Sequence, residues 1–324
     1  MLKYIVKRLL LLILVIIGVV FIVFTILRLS PVDPIRSILG DMATPEQVEQ
    51  MREEVGLNDP FFKQFFDYIK NIVFHFDFGR SWTTNKTVVD ELKNRFPITF
   101  QLAIMCELLA VMVGIPLGVI SAIKQYSLLD NVVTIIALVF LAMPEFWFAL
   151  MLIITFSLRL PIFPASGWYG FKYMILPIVA GGTGLVAGIM RTMRSNMLEV
   201  IRQDYIRTAR AKGLSESVVI TRHAMRNALI PVTTLIGMQF GKQLGGVFVL
   251  ETIFAIPGIG KMLVDACSIK NIPVVQGGVI FIATSYGLVN LLIDILYSVI
   301  DPRIMSVYKT DSSKQRKKAG TING

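Results

Sequence analysis

Six apolar stretches constrain this chain more than any other feature: Ile5–Leu29, Ile98–Ile123, Val132–Leu158, Met174–Met193, Pro231–Ile253 and Gly277–Ile300. A hydrocarbon core of about 30 Å needs about 20 helical residues to cross it, and each stretch is of that order. The whole chain of 324 residues is 54% hydrophobic, with a mean hydropathy of +0.67. That is too apolar for an ordinary soluble domain. The expected fold is an all-α polytopic membrane protein with six transmembrane helices.

The first stretch resembles a signal peptide only at a glance. Lys3, Lys7 and Arg8 precede an apolar run from Leu9 to Leu27. That run is longer than a typical apolar region of roughly 7–15 residues, and no small-x-small cleavage site follows it. It is expected to be an uncleaved first span with a cytoplasmic N-terminus.

Loops then alternate sides. The inside set is the N-terminus, the turn Lys124–Asp130, the segment between the fourth and fifth spans, and a tail with Lys309, Lys314, Arg316, Lys317 and Lys318. The outside loop Ser30–Phe96 holds eleven acidic and eight basic residues. Basic residues crowd the inside set, as the bias against translocating Lys and Arg requires. The net charge of +10 is therefore a matter of topology, and nucleic acid is not an expected partner. The chain divides into a first transmembrane helix (1–29), an extracytoplasmic lobe (30–96), a five-helix core (97–304) with a coupling loop (191–230), and a tail (305–324). The composition of Asp311–Gly324 favours disorder.

In the lobe, TPEQVEQMREEVGL carries helix signals: Thr44 to cap, Pro45 for the first turn, Glu46 and Glu49 near the positive end. Phe61, Phe62, Phe65, Phe66, Ile69 and Ile72 recur at helical spacing. The lobe either meets a partner or packs on its own spans.

Within the spans, Gly237, Gly241 and Gly245 are spaced by four, as are Gly184 and Gly188. Such glycines let another helix approach closely. Lys242 lies mid-span, where a cation needs an ion-pair partner or water. Glu107 and Asp294 are its candidate partners, or a residue of another chain. Lys242 is either half of a structural ion pair or part of a translocation path, where it would grip a substrate carboxylate.

Covalent chemistry has no support in the sequence. GMQFGKQ has the wrong spacing for a phosphate loop and sits inside an apolar stretch. HExxH and GxSxG motifs are missing from the sequence, and Cys106 and Cys267 are far apart, without metal-site spacing. The chain is expected to be neither an enzyme nor a holder of a metal or cofactor.

The segment Met190–Pro231 is the exception to this apolar pattern. It carries Arg191, Arg194, Arg202, Arg207, Arg210, Lys212, Arg222 and Arg226 against Glu199, Asp204 and Glu216. Asp204 is expected to cap a short helix running to about Lys212, with Tyr205, Ile206 and Ala209 on one face and Gly213 as its stop. A short helix with one apolar face, held between two spans, suits insertion into a groove of a soluble partner.

QDYIRTARAKGL, followed by RHAMRNALIP, resembles the cytoplasmic "EAA" loop of binding-protein-dependent ABC importer permeases, and more closely the dipeptide/oligopeptide (nickel) branch. Arg207, Thr208 and Ala209 stand where the wider family has Glu-Ala-Ala, a departure common in the peptide branch, and Gly213 is the glycine of that motif. MPEFW (Met143–Trp147), FPASGW (Phe163–Trp168), ETIFAIPGIG (Glu251–Gly260) and NLLIDILYSVIDPRI (Asn290–Ile304) are similar to the first permease subunit of such systems. LRLSPVDP lacks the glycine usual before Asp-Pro there.

The resemblance implies a permease subunit that takes up di- or oligopeptides by ATP-driven alternating access. Its implied partners are a second homologous permease, two cytoplasmic ATPase subunits that bind the ATP and Mg, an extracytoplasmic substrate-binding protein, and membrane lipid. The implied location is a bacterial or archaeal cell membrane, with both termini cytoplasmic. Docking is expected to use Asp204, Tyr205, Thr208, Ala209 and Gly213. Arg207 and Arg210 would pair with acidic groups on the ATPase rim, and His223 and Asn227 would brace the return into span five. Importers of nickel chelates, metallophores or glutathione share the pattern and stay open as alternatives. A non-ABC channel fits less well, because it has no use for a docking loop.

Overall fold

The computed structural model of the chain describes residues 2–29, 35, 39–40, 43–54 and 56–300. The tail expected to be disordered lies outside these residues, as does SPVDP.

Helix α1 (Leu2–Arg28) is followed by two lobe helices, α2 (Pro45–Glu54) and α3 (Phe61–His75). Thr44 caps α2 reciprocally. Its Oγ1 accepts from the Gln47 backbone N–H at 3.3 Å, and its own N–H donates to Gln47 Oε1 at 3.0 Å, so two end groups of the helix are satisfied at once. One face of α3 packs on α1: the rings of Phe61 and Phe65 meet Phe21 and Phe24 edge-on, 5.3–6.2 Å apart. Between the two readings of the lobe, this face packs on the chain's own span. Phe62, Phe66 and Phe74 on α3 are exposed.

Thr87 caps the long helix α4 (Val88–Ile123), accepting from the Asp90 N–H at 3.2 Å. At about 1.5 Å per residue it extends well beyond the expected span at its N-terminal end. The third expected span is broken. Helix α5 (Leu128–Ala142) and helix α6 (Glu145–Leu152), which continues as a wider π turn over Ile153–Arg159, meet at 103°. The cause is local: Pro144 has no N–H and drives the residue before it out of helical geometry, and Met143 is extended at φ −80, ψ 127.

Helix α7 (Phe171–Ile201) lies along α4. The closest approach is at Gly114 and Gly118, where an added Cβ would stand 2.9 Å from the Val186 carbonyl oxygen and 2.6 Å from that of Met190. Then come α8 (Asp204–Ala211), a single turn at Glu216–Val218, a π segment Val219–Ala224, α9 (Met225–Gly246), α10 (Phe248–Ile253), α11 (Ile259–Ser268) and α12 (Ile272–Ile300). Gly237, Gly241 and Gly245 face Ile293, Tyr286 and Ile282 of α12. Gly184 meets nothing, and Gly188 meets only the end of Gln239, so within the chain that pair does not form a close helix seam.

Among the described residues, four helices are long and apolar enough to cross a membrane, and the bent pair makes a fifth crossing if it counts as one. The remaining expected span, Pro231–Ile253, is divided between α9 and α10. Gln239, Lys242, Gln243 and Glu251 dilute its apolar character.

Buried Glu251 organises the loop after α10. Its carboxylate accepts from Thr99 Oγ1 at 2.5 Å and from the Lys261 N–H at 3.0 Å, at the positive end of α11. Asn271 ties the turn before α12 to the lobe, accepting from the Trp82 N–H at 3.2 Å and donating to Ser81 Oγ at 2.8 Å.

Candidate coupling site

Helix α8 starts one residue earlier than its acid suggests. The residue before its first turn is Gln203, at φ −72, ψ 149, whose carbonyl accepts from the Ile206 N–H at 3.0 Å. Asp204, expected as the cap, instead lies in the first turn. There its charge favours the positive helix end, and its side chain is 97% exposed and 3.8 Å from Arg207. The stop falls where expected. Gly213 takes φ +75, a left-handed conformation that favours glycine. Its N–H donates to the Arg210 carbonyl at 2.9 Å, and a Cβ there would meet nothing within 4 Å. Backbone angle, not space, makes the position suit glycine.

The apolar face of α8 turns inward. Ile206 and Ala209 are buried in a cluster with Met193 and Met197 of α7 and Val219, Ile220 and Ala224 of the π segment. The face expected to insert into a partner instead fastens α8 to the chain's own helices. Tyr205 departs from that stripe and is 43% exposed, its hydroxyl accepting from Asn227 Nδ2 at 2.7 Å. The exposed residues of this segment include Asp204, Tyr205, Arg207 and Thr208, together with the apolar Leu214 and Val218. Leu214 and Val218 were missed, although two apolar residues in a basic loop are a visible signal.

Arg210 is already engaged. Its guanidinium grips Glu216 with two bonds of 3.0 and 2.6 Å, closing the loop around Gly213. The bond from Arg210 holds the Glu216 carboxyl below the usual range. Arg207, 77% exposed, is the better placed of the two to reach outward. His223 lies half-buried in the π segment.

Behind this surface sits a buried brace that the sequence reading did not find. Arg194 of α7 donates to both oxygens of Asp130, at 2.6 and 2.8 Å. Asp130 is 1% exposed. It also accepts from Ser121 Oγ at the end of α4 and from the Tyr126 N–H at 2.9 Å. One carboxylate at the start of α5 thus joins the C-terminal parts of α4 and α7. The pairing spans 64 residues, so spacing could not reveal it.

The three path candidates are not brought together. Lys242 is exposed on α9, and among the described residues no ion pair joins it to Glu107 or Asp294. Asp294 lies 3.0 Å from Arg8 of α1. Glu107 is buried, and neither carboxylate oxygen has a hydrogen-bond partner. Among the described residues no cluster of three or more His, Cys, Asp or Glu could hold a metal ion.

Residues 114–306 match the family described as "Binding-protein-dependent transport system inner membrane component", and residues 1–103 match the corresponding N-terminal component family. The dipeptide transport system permease protein DppB of Alkalihalophilus pseudofirmus is 41% identical over 332 residues, spanning 94% of this chain and 99% of that protein. The DppB of Escherichia coli K12 is 41% identical over 292 residues, spanning 81% and 86%. A putative peptide transport system permease of Brucella abortus is 41% identical over 275 residues, spanning 82% and 87%. Among solved structures, the inward-facing MetNI methionine ABC transporter shares the fold, with a TM-score of 0.53 at 16% identity over 65% of this chain and 96% of that one. The chain is a multi-pass membrane protein and belongs to the binding-protein-dependent transport system inner membrane components.

Proposed function

We propose that the chain is one of two transmembrane permease subunits of an ABC importer that takes up di- or oligopeptides by ATP-driven alternating access. The observation that carries this reading is the 41% identity over 94% of the chain to a dipeptide permease. The second permease is a homologue, two cytoplasmic ATPase subunits bind ATP and Mg, and an external binding protein delivers cargo. The chain crosses the cell membrane six times, with both termini cytoplasmic.

The geometry of α8 supports a lever. Tyr205, Arg207 and Thr208, with Leu214 and Val218, face the ATPase, while Ile206 and Ala209 bind the helix to α7 and the π segment. A movement of the ATPase is then passed to the spans rather than absorbed in a loose loop, and the Arg194–Asp130 pair carries it to α4 and α5. Shifting a two-state gate from 1:99 to 99:1 needs about 5.5 kcal/mol of differential binding, which ATP-driven closure of two ATPase subunits is of a size to supply. Glu107, Lys242 and Asp294 are proposed for the path. Since the three do not meet within one chain, they line it separately.

Uptake by proteoliposomes holding the assembled complex tests this reading. Labelled dipeptide accumulates only with both ATP inside and binding protein outside. Equal accumulation without ATP, or ATP-dependent uptake of a nickel chelate but no peptide, overturns it.

A further inference from the structure

Helix α3 (Phe61–His75) carries two apolar stripes where a helix on a protein surface needs one. Phe61, Phe65, Tyr68 and Ile72, at successive turns, pack toward α1 and Ile280 of α12. Phe62, Phe66 and Val73 form a second stripe beside the first, with half-buried Ile69 between the two. This second stripe is bare: Phe62 is 65% exposed, Phe66 64% and Val73 59%. Gln64 and Asn71, on the opposite side of the helix, line a cavity of the lobe, so the bare stripe points away from the lobe's own body. Lys63, Asp67 and Lys70 are exposed on the side turned from α1, with Lys63 held to Asp59 at 2.9 Å.

Two observations say what covers the bare stripe. The first is continuity. Helix α1 is long and apolar enough to cross a membrane, and its exposed Ile17, Phe21 and Ile22 belong to that crossing. From Phe21 the aromatic contacts run without a gap, through Phe61 to Phe62 and through Phe65 to Phe66. The second is depth. Phe21 stands two turns before α1 ends at Arg28, roughly 10 Å along its axis. The residues that α3 touches are therefore inside the apolar span and not beyond its end.

We propose that α3 is an interfacial helix. It lies in the bilayer leaflet next to the C-terminal end of α1, with Phe62, Phe66 and Val73 seated in phospholipid acyl chains. Lys63, Asp67 and Lys70 stand at headgroup level, where the long lysine stems cover apolar surface and their charges reach water. Phenylalanines on one side and lysines on another are the composition of helices that lie in this plane. The lobe is then anchored flat on the membrane instead of standing free in water. The inference rests on α1 crossing the bilayer and is independent of cargo, ATP and the docking role of α8.

The test is spin-label accessibility in the complete transporter, reconstituted in phosphatidylcholine vesicles. Nitroxides are placed singly at Phe62→Cys, Phe66→Cys, Val73→Cys, Lys63→Cys and Asp67→Cys in a Cys267→Ser background, where the other cysteine, Cys106, is buried. Ile22→Cys on α1 is the lipid reference. Collisions are measured with oxygen, which concentrates among acyl chains, and with a neutral nickel chelate, which stays in water. Labels at Phe62, Phe66 and Val73 collide several-fold more with oxygen than with nickel, as at Ile22, and labels at Lys63 and Asp67 show the reverse. Adding saturating binding protein leaves the ratios unchanged. Val73→Cys carries the test where a phenylalanine variant fails to assemble. A stripe more open to nickel than to oxygen stands in water and overturns the proposal. A stripe closed to both reagents, with or without binding protein, is covered by protein and overturns it equally.

Discussion

Replacing Asp130 by Asn tests the brace behind the coupling surface. The carboxylate is 1% exposed and receives two bonds from Arg194, one from Ser121 and one from the Tyr126 backbone. An amide has nearly the same shape, so the perturbation is of charge and of one acceptor. Breaking a buried pair from one side costs about 3–5 kcal/mol, because the remaining charge is stranded. The Arg194 side chain is 25% exposed, so water relieves part of that penalty and roughly 2–3 kcal/mol is the reasoned loss. Removing both charges in Asp130→Asn/Arg194→Met strands neither, so most of the loss returns. The assay is SDS-induced unfolding of the purified complex, run on the parent, both single variants and the double variant. A single variant within about 0.5 kcal/mol of the parent, or a double variant whose loss equals the sum of the singles, refutes the reasoning.

Three further outcomes follow from named contacts. Ile206→Ala leaves a cavity beneath α8 worth about 2–4 kcal/mol; peptide-stimulated ATP hydrolysis persists while uptake per ATP falls, and unchanged uptake stoichiometry counts against a rigid lever. Gly118→Leu forces a side chain into the Met190 backbone and abolishes assembly of a stable permease, whereas Gly184→Leu, with nothing nearby, leaves thermal stability within a degree or two; identical behaviour of the two rejects the assigned seam. Glu216 has its carboxyl depressed by Arg210, so its contribution is present above the ordinary carboxylate range and is lost as pH falls through the depressed value. Spin-label mobility at Ser217→Cys is therefore flat from about pH 8 to 5 and rises below that, modestly because the pair is exposed. The same acid response in Glu216→Gln would exclude this pair as its source.

The sequence made legible those features that depend on neighbours a few residues away. Apolar runs announced the spans, Gly213 announced the end of α8, and Thr44 announced the start of α2, because each is a local backbone matter. Contacts between distant segments were not legible. A glycine spaced by four declares that an approach is possible but not which helix makes it, so Gly184 and Gly188 looked as good as Gly237, Gly241 and Gly245, and the close approach at Gly114 and Gly118 was not singled out. In an eight-residue helix, one step of rotation decides whether Tyr205 or Ile206 is inside, and composition does not fix that step. Pro144 sat in a long apolar run where prolines are often tolerated, so the 103° bend was hidden. Lys242, Glu107 and Asp294 looked like partners because unpaired charges in spans demand one, yet Asp294 found Arg8 on a helix that the charge argument had not considered.

The central claim is that the exposed face of α8 lies on the cytoplasmic side and is covered by an ATPase subunit. Impermeant-maleimide labelling of Arg207→Cys, in a Cys267→Ser background, measures both properties together. The account predicts labelling in inside-out vesicles stripped of ATPase subunits, protection when those subunits rebind, and no labelling in sealed right-side-out vesicles. Labelling from the outside, or labelling from the inside that rebound ATPase leaves unchanged, contradicts it.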